Sequence, residues 1–135
     1  MPHIVAEYSA NLRERLEPQR LVDRLHETAL STGVFPVGGT RTRAVERAVY
    51  RVADGHPDNG FVHLTMDIGA GRDLATKQRA AQAVFDALVA HTQPIFATAP
   101  LGLTLELRES DPQLSFKHNN LHDYVKARQA GREKP

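Results

Sequence analysis

The stretch Phe61-Val62-His63-Leu64-Thr65-Met66-Asp67-Ile68 alternates without a break, placing Val62, Leu64, Met66 and Ile68 on one side and Phe61, His63, Thr65 and Asp67 on the other. A period of two with one apolar side is the pattern of a β-strand that covers a core with one face. Gly69-Ala70-Gly71-Arg72-Asp73 then turns the chain. Beyond it Leu74, Ala81, Val84, Phe85 and Leu88 recur at helical spacing, which predicts a helix burying that stripe and kinked or stopped at Pro94. From Leu101 to Glu109 the alternation returns, with Leu103, Leu105 and Leu107 inward and Thr104, Glu106 and Arg108 outward. The order is strand, helix, strand.

Working back from Phe61, the same order appears again. Asp54 to Gly60 reads as a loop, and Thr40 to Val52 as extended, with Val45, Val49, Tyr50 and Val52 as its apolar content. Before it, Leu21, Val22, Leu25 and Ala29 mark an amphipathic helix that opens at Pro18 and stops at Gly33. His3 to Tyr8 is a short strand with Pro2, Ile4, Ala6 and Tyr8 on one face. The sequence therefore predicts an α+β fold made of two right-handed βαβ halves, about residues 1–55 and 60–110. They share a four-stranded sheet with both helices on one face, in a single domain over 1–127. A short helix or arm is expected over 113–126 and a polar tail over 128–135. The sheet's other face needs a cover, which oligomerisation supplies.

Composition narrows the function classes. In 135 residues, 17 Lys and Arg against 16 Asp and Glu leave a net charge of +1, so no chain-wide basic field draws nucleic acid or a membrane surface. Cysteine is absent, which removes disulfides, thiolate metal sites and thiol nucleophiles. No run approaches the roughly 20 apolar residues of a spanning helix. Met1 to Glu7 carries neither a basic n-region nor an apolar h-region, and a cytoplasmic protein is expected.

Several motifs have ordinary explanations. Gly69-x-Gly71 precedes a helix, but Leu74 stands where a dinucleotide fingerprint needs its third glycine, so a tight turn accounts for it. What survives is a carboxylate clamp formed by backbone N–H groups and the Arg72 guanidinium. Arg41, Arg43, Arg47 and Arg51 form either a solvated strand face, partly neutralised by Glu46, or a site for an anionic ligand. His118 and His122 have the spacing of one helical face without a third metal ligand, and no metal is expected. His63 reads as structural, and Ser9, Ser31 and Ser115 lack a nucleophile-elbow context. Pro2 differs in kind: if Met1 is removed, it presents a secondary amine.

Pro2 heading a strand, the doubled βαβ, and arginines after the first crossover and the third strand together resemble the tautomerase superfamily. More narrowly, Met1-Pro2-His3, Thr32-Gly33-Val34-Phe35-Pro36, Gly39-x-Arg41-x-Arg43, Ala53-Asp54-Gly55, Phe61-Val62-His63, Ile68-Gly69-Ala70-Gly71-Arg72 and Phe116-Lys117-x-Asn119-Asn120-x-His122 resemble the 5-carboxymethyl-2-hydroxymuconate isomerase family, in order from Pro2 to about Lys126. The resemblance implies a homotrimer, no cofactor or metal, and a step in homoprotocatechuate catabolism that converts a dienol tricarboxylate to its conjugated 2-oxo isomer. It makes Pro2 the proton-transfer group and Arg41 and Arg72 the residues that bind substrate carboxylates. The Arg43, Arg47, Arg51 run and Pro94 depart from the family's pattern.

The chemistry suits these residues. An α-amine has a reference pKa of about 7.7 to 8.0, and burial beside cations lowers it toward a neutral base. Arginine stays charged and grips a carboxylate through two parallel hydrogen bonds. The alternatives are a related tautomerase acting on another 2-hydroxydienoate or enol acid, and a non-catalytic oligomeric module that binds anions.

Overall fold

The computed structural model describes residues 1–133. Strand β1 (His3–Ser9) leads through a 3-10 turn into the short α1 (Arg13–Leu16) and then α2 (Pro18–Ser31). Strand β2 (Arg41–Arg47) follows a second 3-10 turn, Val37–Gly39, and β3 (Gly60–Gly69), α3 (Leu74–Phe96) and β4 (Leu101–Ser110) complete the second half. A last helix, α4, spans Leu121–Glu133. The sheet order is β2-β1-β3-β4, with β1/β2 and β3/β4 parallel and β1/β3 antiparallel. This is the expected pair of βαβ units joined along β1 and β3.

The alternation in β1 and β3 sets the core. Ile4, Ala6 and Tyr8 from β1 and Val62, Leu64, Met66 and Ile68 from β3 are buried in one cluster with Leu21, Leu25 and Ala29 of α2 and Ala80, Val84 and Leu88 of α3. Both long helices thus cover one face of the sheet. Truncating a fully buried leucine here, such as Leu25 or Leu64, costs about 2–5 kcal/mol. Thr92 is the one polar member of the α3 stripe, and its hydroxyl donates to the Leu88 carbonyl at 2.8 Å. His91 Nε2 donates to the Leu16 carbonyl at 2.7 Å, tying α1 to α3.

Several sequence expectations are corrected. The extended reading of Thr40 to Val52 shortens to Arg41–Arg47, because β1 ends at Ser9 opposite Arg47 and leaves nothing further to pair with. Val49 is consequently 95% exposed. Arg51 lies in the following loop, where its guanidinium donates to the Asp54 carbonyl. Leu74 is 65% exposed, because it opens α3 directly after the Asp73 cap and the buried stripe starts at Ala80. Ala81 and Phe85 flank that stripe, half-buried.

Pro94 does not stop α3, which runs on to Phe96. It sits in the last turn, where its missing N–H costs one bond to an exposed residue, Ala90, and where Arg15 donates to its carbonyl at 2.9 Å. The segment read as a polar tail from Arg128 continues α4 as far as Glu133, while Lys134 and Pro135 lie outside the described residues. His118 precedes α4, so it and His122 do not share a helical face. His122 packs instead on the Val37–Gly39 turn, where a Cβ on Gly38 would sit 2.7 Å from its Nδ1.

Candidate active site

Strand direction decides what meets at each end of the sheet. The parallel strands β1 and β2 begin together, so the Arg41 amide donates to the Pro2 carbonyl at 3.0 Å and His3 lies opposite Arg41. Strand β3 runs against β1, bringing Asp67 opposite His3 and the Gly69–Arg72 turn to the same end. Strand β4 is parallel to β3 and also ends there, at Ser110. Pro2, Arg41 and Arg72 are thereby gathered from three separate segments. At the same end, between the strand ends and the chain after β4, lies a cavity of about 450 Å3, lined by Met1, His3, Asp67, Ala70, Phe116 and Lys117 among others; Pro2, Arg41 and Arg72 adjoin it without lining it. Pro2 itself is buried directly behind Met1.

The arginines are held by backbone oxygens. Arg72 donates to the Gly69 carbonyl and to the Val34 carbonyl, each at 3.3 Å, and its guanidinium stands 5.2 Å from the centroid of Phe35. Arg41 donates to the Gly39 carbonyl at 3.2 Å. A guanidinium has five N–H donors, so these anchors leave donors on both residues for a carboxylate. The turn that delivers Arg72 requires Gly71 at φ +116°, a conformation closed to most side chains, and is followed by Asp73, whose carboxylate accepts from the Thr76 amide at 2.8 Å. Gly69 and Gly71, the pair that precedes the helix, form this turn.

Charge is unbalanced at this end. Burial, then the positive charges of Lys117, Arg72 and Arg41, lower the pKa of the Met1 α-amine below its ordinary value of 8.0. Burial and the neighbouring Arg43 and Arg41 likewise lower His3, against an opposing pull from Asp67. An amine here favours its neutral, proton-accepting form.

The other candidates lie elsewhere. Arg43 contacts the His3 ring at 3.1 Å, and Arg47 pairs with Glu7 at 2.6 Å, so much of the β2 arginine run is engaged across the open face of the sheet. Glu46 does not neutralise that run; it is on the opposite side of β2 and pairs with Arg13. His63 bonds Thr104 in mid-sheet. The Asn120 carbonyl accepts from the Tyr124 amide at the start of α4. Among the described residues, no three His, Cys, Asp or Glu side chains form a metal-binding group. A second depression, of about 810 Å3, runs along α3 and β4 past Gln78, Phe85 and Leu105 and holds no group suited to proton transfer.

Sequence reasoning missed Lys117 as a site residue, together with Asp67 and Phe116. The available signal was the Phe116-Lys117 pair in the family pattern. Its spacing could not show that the chain returns to the N-terminus after β4.

The family profile for 5-carboxymethyl-2-hydroxymuconate isomerase matches residues 2–125. The 5-carboxymethyl-2-hydroxymuconate Delta-isomerase of Escherichia coli is 36% identical over 126 residues, covering 93% of this chain and 100% of the relative. The crystal structure of a 5-carboxymethyl-2-hydroxymuconate isomerase from Deinococcus radiodurans R1 superposes with a TM-score of 0.86 at 36% identity, covering 92% of this chain and 93% of that one. A fused 4-OT, a symmetric trimer, shares the fold at a TM-score of 0.66 and 16% identity, over 87% of this chain and 92% of its own. Match, coverage and superposition agree: the chain belongs to the 5-carboxymethyl-2-hydroxymuconate isomerase family.

Proposed function

We propose that this protein is an isomerase that converts 5-carboxymethyl-2-hydroxymuconate to its conjugated 2-oxo isomer, with Pro2, freed by loss of Met1, as the proton-transfer base. The observation that carries this reading is the meeting of the N-terminus with Arg41, Arg72 and Lys117 at one end of the sheet, where burial and these cations hold the Met1 amine toward its neutral form and would act likewise on the Pro2 amine that replaces it. The reaction needs such a group. The enol O–H bond at C2 breaks, the C2 carbonyl forms, the remaining double bond moves to C3–C4, and a C–H bond forms at C5. One base that accepts the first proton and returns it at C5 completes the cycle without a cofactor.

Arg41 and Arg72 act on the oxo-acid end. Their free N–H donors clamp carboxylate and enolate oxygens, fix the plane of the diene over Pro2, and stabilise the negative charge that gathers as the enol proton leaves. The open face of the sheet, with Val5 and Phe61 only half-buried among His3, Glu7 and His63, is covered by two further copies in a homotrimer. Arg41 and Arg72 then stand in the site at or near a subunit boundary.

The test is the ultraviolet absorbance change when untagged protein with a verified processed N-terminus meets 5-carboxymethyl-2-hydroxymuconate, corrected for spontaneous ketonisation. Rapid conversion that is lost in Pro2→Ala is the expected result. Absence of acceleration by folded, processed protein rejects this substrate and turns attention to other enol acids.

A further inference from the structure

We propose that Lys117 is a specificity-determining residue that binds the carboxylate on the substrate's carboxymethyl arm, so that the site reads three carboxylates where the two arginines alone would read two. The inference rests on the isomerase reading above and deepens it. Beyond Ser110, at the end of β4, the chain folds back so that Ser115, Phe116 and Lys117 line the same cavity as Met1 and His3. Three cations therefore approach the N-terminal amine, that of Met1, from three segments: Arg41 from β2, Arg72 from the turn after β3, and Lys117 from the arm after β4. Of these charges, that of Lys117 acts on the amine most strongly.

The three are held differently, and that difference assigns their roles. Arg41 and Arg72 are anchored to backbone carbonyls and present fixed, planar donors, which suits the rigid conjugated end of the substrate. Lys117 takes part in none of the ion pairs among the described residues and sits on an exposed arm. A mobile point charge on a long stem suits a carboxylate on a freely rotating methylene. Asp67, the acidic residue of the cavity, faces the His3 ring and the guanidinium of Arg108, whose charge offsets it locally. The cavity's 450 Å3 falls within the range of about 300–1,000 Å3 usual for small-molecule sites.

The test compares wild type, Lys117→Ala and Lys117→Arg on 5-carboxymethyl-2-hydroxymuconate and on 2-hydroxymuconate, which is the same dienol without the carboxymethyl arm. Lys117→Ala is expected to lower the ratio of the two kcat/KM values about tenfold, chiefly by raising KM for the tricarboxylate. Lys117→Arg is expected to recover most of that ratio. Equal losses on both substrates, as a purely electrostatic effect on the amine would give, overturn the inference, and so does an unchanged ratio. Wild type inactive on both substrates overturns the isomerase reading itself, a result seen before any variant is made.

Discussion

The two ends of the sheet are built from matching parts and do different work. At one end, Ser9 and Gly60 meet and the backbone is closed: the Phe61 amide donates to Ser9 Oγ at 3.1 Å, the Gly60 amide to the Pro100 carbonyl at 3.1 Å, and the Asn11 side chain to the Pro57 and Asn59 carbonyls at 3.2 and 2.9 Å. Leu12 packs so closely that a Cβ on Gly60 would lie 2.8 Å from its Cδ2. At the other end, the N-terminus and the β3–α3 turn meet beside a cavity, and three cations, Lys117, Arg72 and Arg41, surround the terminal amine. The duplicated βαβ supplies a strand junction at both ends, but only one of them holds the chain's amine. Polar groups are paired at the closed end, and at the other end donors are left over, which is where the proposed chemistry is assigned.

That contrast breaks first at Pro2. Pro2→Ala in processed protein should cut kcat by about 10²–10⁴-fold in the absorbance assay, with little change in thermal unfolding. Arg41→Ala and Arg72→Ala should each cost about 10²–10³-fold in kcat/KM, measured with the same substrate; full activity in both would remove the clamp from the account.

The closed end should answer in the opposite way. Gly60→Ala forces Leu12 to shift and should cost about 1–3 kcal/mol in denaturant unfolding, with kcat per folded molecule retained. The smallest effect is expected at Asp73, whose pKa lies below its ordinary 3.8 because its carboxylate accepts from the Thr76 side chain and amide. A depressed carboxylate adds stability above its unfolded pKa and loses it as pH falls through the folded one. Asp73→Ala should therefore lower Tm by a few degrees at neutral pH, and the difference should vanish in acid.

The closed framework was more legible in the sequence than the open site. The alternation of Phe61 to Ile68 and of Leu101 to Glu109 reported strand and face correctly, because burial on one side leaves a period of two. Strand β2 was misjudged in length, since its extent is set by where β1 runs out and not by its own residues. Leu74 was placed in the core by helical spacing, although the Asp73 cap opens the helix before it reaches the sheet. Pro2, Arg41 and Arg72 were found through the resemblance, and the strand directions explain why they meet. Lys117 lies on an arm without periodicity, and only tertiary structure brings it to the amine.

The central claim is that an amine at the open end is tuned by the cations around it, and the most direct measurement is a 15N NMR titration of Pro2 in processed protein and in Arg72→Ala. The account predicts a pKa below that of an exposed prolyl amine in the wild type, with the rising limb of kcat/KM following the same ionisation and the value moving upward when Arg72 is removed, in keeping with the direction that Arg72 imposes on the Met1 amine. A Pro2 pKa no lower than that of an exposed prolyl amine, and unmoved by the loss of Arg72, would contradict it.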